Sequence, residues 1–321
     1  MNVPRTTRWG LGLALVAGCI SGLSIFLNGL MVKSFPDPTL LAGVRNGLVG
    51  ILFLAVLGVL VVRSARTPGS ETTAAATQTP SRALGRREAV GLMALGVVGG
   101  GIAFALFFEG LALAASPSSA VLQKTLFLWV AIAAWPLLGE RPGAASVVAL
   151  VVLLLGTLLL DAPAGTGLGV GELLILAATL LWTGETILAR RLLPRVGAGR
   201  GAAARMAIGS LVLLGIVAWG GGLSGIASWT PEMWGFVALT AVLLAGYVGA
   251  WYGALERAPA STVTSILVIG AVITATLRAL TAGTLPTDQR LAGLLLLAAG
   301  AGVVALVSMR RPARAAVTSG T

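Results

Sequence analysis

The stretch LALAASPSSAV, from Leu111 to Val121, returns as GALERAPASTV from Gly253 to Val263, and five apolar segments of spanning length separate the two copies. An odd number of crossings turns the second copy upside down in the membrane. Two halves related by inverted topology are characteristic of secondary transporters, whose substrate site lies where the halves meet near the bilayer midplane. The repeat therefore bears on function as well as on fold.

The composition agrees with a membrane setting. Of the 321 residues, 57% are apolar and 10% charged, and the mean hydropathy is +0.96, which leaves too little polar surface for a water-soluble domain. Runs of about 20 apolar residues cross a hydrocarbon core as helices. Ten are read, near 9–32, 39–62, 89–113, 118–138, 144–160, 169–189, 203–220, 233–255, 260–281 and 289–308. The expected fold is an all-α polytopic membrane protein, ten transmembrane helices forming two inverted five-helix repeats over 9–160 and 169–308. Residues 64–87, rich in Thr, Ala, Pro, Ser and Arg, form an expected disordered cytoplasmic loop.

The net charge of +11 raises the question of nucleic acid, but its distribution answers it. With the N-terminus cytoplasmic, 17 of the 22 Lys and Arg fall on the inner side and only Lys33 and Arg290 outside. That bias is a topology signal. It places both termini in the cytoplasm and makes a nucleic-acid partner unnecessary. The expected partners are the lipid bilayer and a small-molecule substrate, with the chain acting as a monomer or homodimer in the cell membrane.

Cysteine usage is sparse. Cys19 alone cannot form an internal disulfide, and with no His in the chain the usual metal and haem ligand sets are missing, so no cofactor is expected. Val16-Ala17-Gly18-Cys19 resembles a lipoprotein cleavage box, yet apolar sequence continues to Val32 and completes a span, which favours a first helix. No phosphate-binding GxxxxGK[ST] loop is present to drive an ATP-powered pump, and no nucleophile-base pair marks an enzyme.

Charges inside the spans are the candidate functional groups, because each unpaired one costs about 2.5 to 3.5 kcal/mol at the bilayer centre. Glu109 and Lys124 lie 7.5 residues either side of the turn at Ser116-Pro117, hence at equal depth, and are expected to pair across the third and fourth helices. Such a pair either pins the hairpin or faces a cavity and exchanges with a charged substrate. Ser118, Ser119, Gln123 and Thr125 make the start of the fourth helix too polar to face lipid; in the second half Ser265-Ile266 carries no charge there. Glu185 has Arg190, Arg191 and Arg205 as neutralising neighbours, for an interfacial ion pair, and is otherwise the candidate for proton coupling. Arg45 and Arg278 are expected to snorkel to the interface. Trp129, Trp182, Tyr247 and Trp251 complete a candidate substrate-binding set with Lys124, Glu109, Gln123 and Ser265. A lipid-handling or assembly factor, in which the same polar residues only glue helices together, is the alternative.

Glycines four apart, as in Gly18/Gly22, Gly43/Gly47, Gly96/Gly100 and Gly249/Gly253, suit close helix packing in lipid. Arg45 and Arg205 repeat at an interval of 160 residues, Pro117 and Pro259 at 142, Gly156 and Gly300 at 144, and the loop accounts for the shortfall. Together with Pro38 and Arg45 opening the second span and Leu138-Gly139-Glu140-Arg141-Pro142 closing the fourth, these landmarks resemble the EamA-type family of the drug/metabolite transporter (DMT) superfamily. The resemblance covers nearly the whole chain, twice. It implies ten helices, inside termini and transport, often export, of small metabolites such as amino acids. The second half departs from it, since Gly283-Thr284-Leu285-Pro286 replaces the glycine-glutamate pair. If Glu140 caps a helix, its twin position lacks that device.

Overall fold

The computed structural model describes residues 5–31, 34–66, 84–113, 122–160, 169–283 and 287–310. Among them there is no strand, as expected where lipid offers the backbone no hydrogen-bond partners. Among the described residues the long helices are α1 (Arg5–Met31), α2 (Pro38–Arg66), α3 (Arg86–Leu113), α4 (Leu122–Leu138), α5 (Ala144–Leu160), α6 (Val170–Val196), α7 (Ala198–Trp219), α8 (Pro231–Arg257), α9 (Ala260–Ala282) and α10 (Asp288–Arg310), with a short 3₁₀ helix over Gly222–Ser228. Eight are long and apolar enough to cross a membrane, and α4 and α5 are shorter apolar helices. The chain is a multi-pass integral membrane protein. Most of the loop expected over 64–87, and the turn at Ser116-Pro117, lie outside the described residues.

Helix ends follow local chemistry. The Asp37 carboxylate accepts from Thr39 N at 2.7 Å and Leu40 N at 3.1 Å, which starts α2 at Pro38. Thr230 caps α8 in the same way through Met233 N, with Pro231 next. Gly139 closes α4 at φ 69°, and Gly197 at φ 87° is all that separates α6 from α7. Consequently α6 runs seven residues past its apolar run and α7 begins five before its own, so Arg190, Arg191, Arg195 and Arg200 sit on helices, not in a loop. A hydropathy window stops at the first charges, whereas the helical hydrogen-bond ladder continues through them.

The inverted repeat is visible in how the helices pack. Gly43, Gly47 and Gly50 of α2 meet Leu214, Ser210 and Ala207 of α7, and Ser210 Oγ donates to Gly43 O at 2.8 Å. The numbers rise on one helix as they fall on the other, so these equivalent helices are antiparallel. In the same sense Gly156 of α5 meets Gly293 and Leu297 of α10, while Gly300 meets Leu153. The remaining large contacts respect the exchange of one half for the other: α1 packs along α8 as α6 packs along α3, and α1 on α9 as α6 on α4. Three of the four glycine pairs sit at such contacts; Gly249 and Gly253 make looser ones, to Phe53 and Leu13.

The tightest crossing joins α3 to α7. A Cβ on Gly209 would collide with the backbone of Gly100, and one on Gly100 with the carbonyl of Arg205. Gly209→Ala is therefore expected to destabilise the protein by about 1 to 3 kcal/mol, read as a lower thermal unfolding midpoint in detergent. Gly215→Ala, on the same helix with open space around it, should be neutral or stabilising by up to about 1 kcal/mol. Equal midpoints for the two variants would contradict this packing.

Candidate functional site

The middle of α3 is not an α-helix. Residues Leu95–Ile102, LGVVGGGI, form a π segment flanked by α-helical turns, and such bulges recur at functional sites. Its three consecutive glycines leave a bare backbone surface, against which the Glu185 carboxylate rests at Gly99. The carbonyl of Gly99 accepts from Trp182 Nε1 at 3.1 Å and from Arg205 Nη2 at 3.4 Å.

Around this point α3, α6, α7 and α8 each contribute a polar group. Arg205 Nε donates to Glu185 Oε1 at 2.7 Å and Nη2 to Oε2 at 3.3 Å, a two-pronged pairing of the geometry that suits guanidinium and carboxylate. Tyr252 OH donates to Glu185 Oε1 at 2.6 Å. The two charged side chains are only 7% and 3% exposed. Phe104 lies under the guanidinium, 5.4 Å from ring centre to Arg205 Cζ, and packs edge-on against Trp182 at 5.3 Å. Glu185 is thus sealed at mid-helix with one of its three candidate partners, Arg205. A proton-carrying role would require breaking three hydrogen bonds to it.

Arg190 and Arg191 instead tie the arginine-rich end together. Glu140, just beyond α4, accepts from Ala260 N at 2.8 Å, Ser261 N at 3.1 Å and Ser261 Oγ at 2.7 Å, so a carboxylate of the first repeat caps α9 of the second. Arg190 approaches Glu140 at 3.8 Å and donates to the carbonyls of Leu255 and Glu256 at 2.8 and 3.0 Å. Arg191 donates to Leu137 O, and Glu256 accepts from Ala198 N at 3.3 Å. This clasp joins the repeats at one end. Beneath it Glu140, Ser146, Ser261, Thr262 and Ser265 line a small cavity.

The other sequence candidates are distributed around these two centres. Trp182 belongs to the buried network, Trp251 is buried and stacks with half-buried Tyr247 at 6.2 Å, and Ser265 is buried and donates to Ser261 O. Trp129 donates to Thr125 Oγ1 at 3.0 Å, while Gln123 and Lys124 are half-buried and Lys124 is engaged in an interaction of its own. The expected Glu109–Lys124 ion pair is not among those of the described residues, and Glu109 is exposed. Equal depth did not bring them together because α3 and α4 each pack chiefly on α6. Arg45 does not snorkel. It is 7% exposed and reaches Asn28 Oδ1 at 3.4 Å, because the Asp37 cap sets it two turns into α2 on a covered face; Arg278 is exposed. Tyr252 and Gly99 escaped sequence reasoning, although a GGG triplet in mid-span and a Tyr within GAWYGALER were visible signals.

The sequence profile of the EamA-like transporter family matches residues 8–160 and again 169–306. No curated protein matches the chain significantly. Among solved structures, 28 chains match. One of them, titled only as the crystal structure of a protein, is 20% identical, covers 95% of this chain and 97% of its own, and superposes with a TM-score of 0.70. At that identity the likeness is one of fold.

Removing one partner of a buried ion pair leaves an uncompensated charge and costs about 3 to 5 kcal/mol. Glu185→Ala and Arg205→Ala should each lose stability on that scale, and the double variant far less than their sum, in a thermal or denaturant unfolding cycle. Additive losses would show that the two side chains do not act as a pair.

Proposed function

We propose that this chain, which belongs to the EamA-like transporter family, is a secondary transporter that moves a small metabolite across the cytoplasmic membrane by alternating access. The metabolite is amino-acid-like or carboxylate-bearing, and export is the proposed direction. Both termini, and with them the clasp, are on the cytoplasmic side. The observation that carries this reading is the clasp itself. The polar contacts between the repeats at that end are hydrogen bonds and one long ion pair, each worth about 0.5 to 3 kcal/mol net, and these can be broken and remade within a working cycle, beside the close approach of Gly10 to Ala258 and of Gly91 to Leu192. The tight glycine crossings deeper in the bundle join helices of different repeats, and suit rigid units built from both halves.

The proposed solute path lies between α1, α3, α4, α6, α8 and α9. Gln123 and Lys124 stand near its mouth, with Trp129, Tyr247 and Trp251 as apolar wall and Trp182 behind it. Ser265 lies under the clasp, at the point that opens when the arginine-rich end separates. Glu185 serves as a pivot that holds α6, α7 and α8 against α3. The sealed Glu185–Arg205 pair also favours the rival reading, a non-transporting protein whose charges are glue. Flux measurement separates the two.

In proteoliposomes loaded with a metabolite panel, counterflow should accumulate at least one labelled solute above equilibrium. Absence of flux for every solute class would defeat the reading. In a Cys19→Ser background, Ser265→Cys, 1% exposed, should react slowly with a membrane-impermeant maleimide. Adding Glu140→Ala should speed that labelling roughly tenfold, the equivalent of about 1.4 kcal/mol. An unchanged rate would show that Glu140 does not hold the end closed.

A further inference from the structure

The two repeats each place an arginine at the eighth residue of equivalent helices, Arg45 in α2 and Arg205 in α7. Both are buried, at 7% and 6% exposure. Because α2 and α7 run antiparallel, the arginines lie towards opposite ends of the bundle. There the likeness stops. Arg205 offers Nε and Nη2 to the two oxygens of Glu185, whereas Arg45 has a single long bond, Nη1 to Asn28 Oδ1 at 3.4 Å.

Among the described residues no carboxylate pairs with Arg45, and its Nε is buried without a partner. Its immediate surroundings share that condition. Asn46, the next residue and fully buried, has neither its amide nitrogen nor its oxygen bonded, and Ser24 Oγ, one turn from Asn28 on α1, is buried and unbonded as well. Buried polar atoms are ordinarily satisfied, and unsatisfied ones on the residue next to Arg45 and one turn from its partner Asn28 point to a place made for a missing group. α1 packs chiefly on α8 and α9, and α2 on α7 and α8, so neither helix is packed mainly on the other. Arg45 lies towards the end remote from the clasp, where α2 begins.

The duplicated fold supplies its own example of what fits. On Arg205 the fork of Nε and Nη2 is filled by a carboxylate; on Arg45 the corresponding Nε is vacant. We propose that Arg45, with Ser24, Asn28 and Asn46, is the recognition site for the carboxylate group of the transported solute, reached from the end opposite the clasp. Arg45 takes the two carboxylate oxygens side-on, and the Asn46 amide and Ser24 hydroxyl bond the neighbouring polar atoms of the solute. Lys124, engaged elsewhere, is then not the cation that fixes substrate class. This assignment rests on the transport reading and names the chemistry of its substrate.

The test is a thermal-unfolding titration of the purified full chain in detergent, at matched ionic strength. The probes are pyruvate, L-alanine, L-glutamate, L-phenylalanine and benzoate, each against its carboxamide. At least one carboxylate should raise the midpoint of the wild type in a dose-dependent way while its carboxamide does not. Asn28→Asp, which converts the side chain touching Arg45 into an internal counter-ion, should keep or raise the ligand-free midpoint and weaken carboxylate binding roughly tenfold or more. Arg45→Gln should weaken it similarly, and Asn28→Asp keeps the test open if Arg45→Gln does not fold. No stabilisation by any carboxylate, or wild-type binding in Asn28→Asp, overturns the assignment. Counterflow of an uncharged solute without carboxylate binding would overturn Arg45 and leave transport standing. Carboxylate binding lost in both variants, with no counterflow of any solute, would uphold the site and overturn transport.

Discussion

Glu185 and Arg205 meet in the interior only because Gly99, Gly100 and Gly209 present bare backbone there. Any side chain at those positions would push α3 off α6 and α7, and the pair would be left unsealed in a medium where a lone charge is costly. The π segment of α3 allows the same point to offer a carbonyl to Trp182 and to Arg205. Four helices are thereby joined at one polar node, and the aromatic packing of Phe104, Phe107 and Trp182 encloses it. The node supplies direction where lipid supplies none, since apolar surfaces alone have no preference between a neighbouring helix and an acyl chain.

Duplication gave the protein two such positions, and they have diverged. The α7 arginine is paired with a carboxylate through Nε and Nη2, leaving only its Nη1 unbonded, whereas the α2 arginine has no carboxylate partner among the described residues, with unsatisfied atoms on Asn46, the next residue, and on Ser24 of α1. The same asymmetry appears at the helix ends: Glu140 of the first repeat caps α9 of the second, while Thr284 stands where the second repeat would need a glutamate. The second half therefore carries an arginine paired with a carboxylate and the first an arginine without one among the described residues, with the Glu140 clasp joining the halves at the arginine-rich end.

Much of the fold was legible in the sequence because its signals are local. Apolar runs, the charge bias and the repeat of LALAASPSSAV as GALERAPASTV are read within a window or by simple offset, and they lead to the ten-helix, two-repeat arrangement. The offset that equated Arg45 with Arg205 was equally direct. What escaped was everything decided by which face of a helix is covered. Glu109 and Lys124 share a depth, yet their helices pack on α6 instead of on each other. Arg45 has the length to snorkel, but the cap at Asp37 turns it under cover. Arg205 was one of three possible partners for Glu185, and choosing it required knowing that the glycine crossing brings α7 closer than the cluster at Arg190 and Arg191. Helix ends were misjudged for a related reason, since hydropathy ends at charges that the backbone ladder ignores.

The central claim is that the clasp must open for a solute to pass. In a Cys19→Ser protein carrying Glu140→Cys and Ser261→Cys, a short bis-methanethiosulfonate bridge fixes α4 to the start of α9. Counterflow in proteoliposomes, measured before bridging, after bridging and after reduction, is the most direct examination. The account requires flux to stop with the bridge in place and to return on its removal; undiminished flux through the bridged protein would contradict it.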